Sequence, residues 1–129
     1  MQPVQSIQAP ISLGELVDKI TILQIKIQYL QGNALENATT ELNALECTMN
    51  NLNISITPEL IQRLKKVNQD LWDIEDDIRE HERQKDFGAT FVQLARSVYK
   101  QNDRRFAIKK EINITHGSTF IEEKSYQHY

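Results

Sequence analysis

Two stretches of the chain gather side chains able to hold a polar ligand. Trp72, Asp73, Asp76 and Asp77 lie in one, and Tyr99, Asn102, Asp103, Arg104 and Arg105 in the other. Arginine meets carboxylate or phosphate through a planar fork of donors, so this mixture suits a small phosphorylated or sugar-bearing molecule. Trp72 can stack on a ring or sugar beside it. The same residues have a plainer use. An arginine and an aspartate meeting between two helices can fix the register of a bundle, as one polar seam residue does in a coiled coil. The residue types leave both uses open, and no catalytic motif stands beside them.

A second set of acids admits a different chemistry. Glu15 and Asp18 are three residues apart, as are Asp73 and Asp76. Two such pairs on neighbouring helices can hold magnesium, a hard cation that takes carboxylate oxygens. In this respect the chain resembles the all-helical nucleoside triphosphate pyrophosphohydrolases, where Glu-x-x-Glu and Glu-x-x-Asp pairs bind magnesium and the triphosphate. Ser12-Leu13-Gly14-Glu15-Leu16-Val17-Asp18 carries the first pair. The second departs from that pattern: it is Asp-x-x-Asp and lies much farther along the chain. The resemblance implies magnesium-dependent hydrolysis of a nucleotide or nucleotide-sugar, with Glu15, Asp18, Asp73 and Asp76 as ligands. The binding reading needs no metal or other cofactor.

Other chemistries lack their residues. His81, His116 and His128 share no ligand spacing with one another or with Cys47, which argues against zinc. Cys47 has no base nearby in sequence and is expected to be a small buried side chain. The four glycines form no phosphate loop.

Four helices are expected to position these groups. Ser12 to Glu15 reads as a capping box, in which Ser12 accepts from the amide three residues on and Glu15 reaches back. Leu13, Leu16, Ile20, Leu23, Ile27 and Leu30 then recur at helical steps, widened by Val17, Ile22 and Ile25, over residues 12–31. A weaker, Asn-rich helix is expected over residues 34–52. Thr57-Pro58-Glu59 opens the third, over residues 57–84, with a cap, a proline at the first helical position and an early acid. Its Leu60, Leu64, Val67, Leu71, Ile74, Ile78 and His81 form a coiled-coil-like seam. After a turn at Asp86-Phe87-Gly88, a fourth helix over residues 89–115 carries Phe91, Ala95, Val98 and Ile112, interrupted by Asn102, Arg105 and Lys109.

The third helix is rich in acids and the fourth in bases, so the two should fold into an antiparallel hairpin. Its register would set Asn102 across from Leu71, Arg105 from Asn68 and Val98 from Glu75, with Asp70 and Asp73 close enough to neutralise Arg105. The expected fold is therefore all-α: a single-domain, three- to four-helix bundle built on a long antiparallel helical hairpin, preceded by an extended arm over residues 1–11.

Composition bounds the setting. With 129 residues the chain makes one domain. A net charge of −3 argues against general nucleic-acid binding. A lone cysteine permits no internal disulfide and suits a reducing, cytoplasmic environment. The apolar runs fall well short of the roughly 20 residues that cross a bilayer. Long amphipathic helices also favour a protein partner or a homodimer.

Taken together, Gly14 to Leu23, Leu71 to Arg79, Asn102-Asp103-Arg104-Arg105 and the tail Glu122-Glu123-Lys124-Ser125-Tyr126 resemble a family of small, functionally uncharacterised helical proteins of bacteria and their phages. The resemblance implies a link to cell-surface polysaccharide synthesis. The Asn-rich stretch from Asn33 to Asn53 departs most from it. So defined a tail word is expected to dock on the bundle, with Tyr126 buried at its ring and bonded at its hydroxyl. The function expected is a non-enzymatic binding or accessory role, and the alternative is the magnesium-dependent pyrophosphohydrolase.

Overall fold

The computed structural model describes residues 5–129; the first four residues of the expected arm lie outside it. The fold is all-α, with four helices and no strand among the described residues: α1 (Leu13–Tyr29), α2 (Gly32–Asn51), α3 (Pro58–Gln84) and α4 (Ala89–Thr115). None is long and apolar enough to cross a membrane.

Local chemistry sets the helix ends, not always as the sequence suggests. Ser12 accepts from the Glu15 amide at 3.1 Å, but Glu15 does not complete the capping box. Its carboxylate turns to Lys109, at 2.6 Å, and Lys19, at 3.6 Å. Likewise Pro58 opens α3, while the side chain of Thr57 makes no capping bond. The α1–α2 turn passes through Gly32 at φ 62°, a conformation glycine adopts freely. The α3–α4 turn uses Lys85 at φ 55°; its amide and that of Asp86 return to the carbonyls of Glu82 and His81, closing α3.

The wide apolar stripe of α1 lets it serve two partners. One side joins Leu13 and Val17 to Leu60, Leu64, Val67, Ile108 and Ile112 of α3 and α4. The other joins Leu16, Ile20 and Leu23 to Ala38 and Leu42 of α2. α2 packs on α1 alone among the helices. Cys47 is exposed, not buried. It lies roughly 200° around the helix from Leu45, and α2 has only one covered face.

Length decides how far the core extends. The 27 residues of α3 or of α4 span about 40 Å, whereas the 17 of α1 span about 25 Å. α1 therefore covers only the base of the hairpin, and no residue from Gln69 to Ala107 is buried.

The tail docks, but by charge. Lys109 meets Glu122 at 2.9 Å, Lys110 meets Glu123 at 3.1 Å, and the Lys124 ammonium sits 5.0 Å from the Phe106 ring centre. Tyr126 corrects the expectation: it is 78% exposed, with Lys124 5.7 Å from its ring.

Candidate functional site

The polar centre of the molecule lies between α1 and α4, with α3 closing one side. Gly14, Asp18, Thr21 and Ile25 recur at steps of four and three along α1, and all are buried. Two polar residues therefore interrupt a packing row. Asp18 is fully buried and accepts two hydrogen bonds from Arg105 Nε, at 2.9 and 3.1 Å, with a further one from Nη2 to Oδ2. Asn68 Nδ2 donates to Asp18 Oδ1 and to Thr21 Oγ1, each at 2.9 Å. The Thr21 hydroxyl donates to the Asp18 carbonyl at 2.8 Å.

Lys109 stands one turn beyond Arg105 on α4. Its ammonium donates to Glu15 at 2.6 Å and to Glu122 of the tail at 2.9 Å, and lies 3.7 Å from Asp18. The α4 backbone comes close enough here that only glycine fits opposite: a Cβ on Gly14 would lie 2.5 Å from the Lys109 carbonyl oxygen. One turn further, Asn113 Oδ1 accepts from the Gly14 amide at 2.6 Å, and Ser118 Oγ accepts from the Leu13 amide at 3.2 Å. Amides of the first turn have no partner within their own helix. Here Asn113 at the end of α4 and Ser118, three residues past it, supply acceptors for two of them.

Burial opposes the charge on Lys109, but the hydrogen bonds to Glu122 and Glu15 outweigh it, and the pKa is raised. That of Arg105 is raised chiefly by its bonds to Asp18. A lysine whose folded pKa exceeds its unfolded one contributes stability that is fully present below the unfolded value, about 10.4, and lost as pH rises through the folded value. Denaturant titrations from pH 8 to 11.5 should therefore show falling stability at the alkaline end, and Lys109→Met should flatten that limb. An unchanged limb in the variant would exclude Lys109 as its source.

The nine residues expected at the site fall on several faces. Trp72, Asp76, Asn102 and Arg105 line one cleft of about 470 Å³, with Ile22 and Lys26 of α1 and Asn68, Leu71, Glu75, Arg79 and Val98 of the hairpin. The three expected register rows thus line the same cleft. Trp72 stacks on Tyr29 with ring centres 4.9 Å apart, and its buried Nε1 has no hydrogen-bond partner among the described residues. Arg104 faces a second cleft with Glu59, Arg63, Lys66 and Gln101. Adjacent residues of a helix point about 100° apart, and Arg104 and Arg105 accordingly line different clefts. Asp103 lines a groove under the tail, and Tyr99 packs against Tyr129. Asp73, held by Gln69 at 3.1 Å, and Asp77 are exposed.

One expectation needs correcting, and another finds no support. Arg105 is neutralised by Asp18 and not by Asp70 or Asp73; Asp70 instead takes Lys66 at 2.5 Å. The four acids of the magnesium reading also stand apart. Among the described residues no three His, Cys, Asp or Glu side chains gather into a group able to hold a metal. Asp18 is committed to Arg105, and both Glu15 and Asp18 to Lys109. A cation at Glu15 and Asp18 would have to displace two basic side chains already neutralising them, so these residues do not fit a magnesium ion.

Thr21, Lys26 and Asn113 were not expected at the site, and Asn68 only as the register partner of Arg105. The available signal was the α1 row 14, 18, 21, 25, where polar residues occupy packing positions opposite the breaks at Asn102, Arg105 and Lys109.

Residues 7–129 match a family of unknown function, DUF6165. No curated protein and no solved structure matches the chain.

Proposed function

The chain belongs to DUF6165, a family of unknown function, and we propose that it is a non-enzymatic binding or accessory protein whose cleft between α1, α3 and α4 takes a phosphorylated or sugar-bearing molecule. The observation that carries this reading is the way Arg105 is held. Asp18 accepts from Nε and Nη2, whereas Nη1 has no partner among the described residues and the side chain lines the cleft. An arginine fixed on one edge of its fork offers the other edge pre-organised, which reduces the ordering cost of binding.

The surroundings suit the same ligand class. Lys26 and Arg79 add positive charge, the Asn102 amide adds donors and an acceptor, and the Trp72 indole N–H lacks a partner among the described residues. Glu75 and Asp76 on the same walls favour sugar hydroxyls over a ligand that is anionic throughout. In this reading the protein works in the cytoplasm of a bacterium, or of one infected by phage, on an intermediate of cell-surface polysaccharide synthesis.

Thermal unfolding against nucleotides, nucleotide-sugars and sugar phosphates, with and without millimolar magnesium, tests it. One ligand class should raise the midpoint independently of magnesium; at a hundred times Kd the gain is about 2.7 kcal/mol. Asn102→Ala and Lys26→Ala should keep the unliganded midpoint and lose the shift. A panel with no response, or a shift that survives both substitutions, refutes the reading.

A further inference from the structure

The outer half of the α3–α4 hairpin is helical apart from its turn yet has no buried residue from Gln69 to Ala107. Its seam is apolar all the same. Ile74, Ile78 and His81 of α3 and Phe91, Leu94 and Val98 of α4 are each only half-buried, and none belongs to either core cluster. At the tip Phe87 is 51% and Val92 49% exposed. Helices draw most of their stability from a packed apolar face, and two helices alone supply little of it.

The charges on this arm say what covers it. On α3, Asp73, Asp76, Asp77 and Glu82 have no ion-pair partner among the described residues; on α4 the same holds for Arg96, Lys100 and Arg104. Ion pairs on the outer arm run within one helix or its adjoining turn, as in Arg79–Glu75, Arg83–Glu80 and His81–Asp86. A uniformly acidic partner would satisfy α4 and repel α3, and a basic one the reverse. A second copy of this chain, turned about a two-fold axis, sets α3 against the partner's α4 twice over.

We propose that the outer arm is the self-association surface, and that two copies join arm to arm as a four-helix bundle with acidic and basic helices alternating. Such an interface is isologous and closes on itself. The face is about 24 Å long and roughly two helix diameters wide, at the small end of stable interfaces. Association therefore falls at micromolar concentrations or above and weakens with salt.

Sedimentation equilibrium of the full chain across concentration tests this, in about 50 mM and 500 mM salt, beside two charge-reversed variants. Asp73→Lys with Asp77→Lys cancels the unpaired negative charge of α3 and so removes its attraction to a basic α4; Arg96→Glu with Lys100→Glu leaves both helices acidic along the arm. All four positions are exposed, and circular dichroism confirms that each variant folds. The expected result is a wild-type dimer at least fivefold weaker in high salt, two variants that are monomeric alone, and a heterodimer when they are mixed. A wild-type chain that stays monomeric at every concentration overturns the proposal. So does a dimer that either reversal leaves intact.

Discussion

Asp18→Ala should cost the fold about 3–5 kcal/mol, read as a lower denaturant midpoint with an unchanged slope. The carboxylate is fully buried and gathers donors from two helices: Arg105 of α4 and Asn68 of α3, with Lys109 3.7 Å away. Removing it strands the Arg105 guanidinium, which is mostly shielded from water, without its counter-charge. It also leaves Asn68 with one acceptor fewer. Since a domain of this size is stable by about 5–15 kcal/mol, the variant should be marginal at 37 °C.

The comparison that separates structure from binding is the double substitution Asp18→Leu with Arg105→Met. Replacing a buried ion pair by apolar residues of similar volume is often close to neutral, so the double variant should recover much of the stability lost by the single one. It should not recover the ligand-induced rise in melting, because the fork that faces the cleft is gone. Recovery of both stability and the ligand response would mean that Arg105 serves only the fold.

How much of this was legible in the residues depends on the range over which each signal acts. Ser12, Pro58 and the Asp86–Gly88 turn act within a few positions, and apolar periodicity marks each helix face, so the hairpin and its register rows follow from the sequence. The partner of Arg105 does not. Asp18 lies 87 residues away, and periodicity says which face of α1 is apolar without saying what it meets. The acids of α3 pointed elsewhere by their number. Yet Asp73 and Asp77 lie on the exposed side, and Asp70 is satisfied within its own helix by Lys66. Charge abundance on two adjoining helices says little about pairing between them. The polar breaks in the rows of α1 and α4 were the better guide, because a polar residue at a packing position must find a partner. The tail shows the same limit: its word looked specific, but Glu122, Glu123 and Lys124 carry the docking while Tyr126 stays in solvent.

Gly14→Ala should destabilise the protein by about 1–3 kcal/mol or more, and the sign is what makes the experiment informative. In an exposed helix interior the same change gains roughly 0.5–1 kcal/mol, because alanine loses less backbone freedom on folding. At Gly14 the added Cβ would meet the Lys109 carbonyl oxygen at 2.5 Å and its carbon at 3.1 Å, both backbone atoms that no rotamer change can clear. α1 and α4 must therefore separate. Separation stretches the bond from the Gly14 amide to Asn113 Oδ1, now 2.6 Å, and draws the Lys109 ammonium away from Glu15. One methyl group thus acts on the capping of α1 and the ion pairs of the polar centre together. Gly14→Val should be worse, since its branched side chain adds bulk at the same contact. Hydrogen exchange should show the first-turn amides of α1 losing protection before the α1–α2 contacts do, because that second core cluster lies on the other side of the helix. A neutral or stabilised Gly14→Ala would mean that α4 does not approach α1 this closely, and the Asp18–Arg105 arrangement would have to be reconsidered with it.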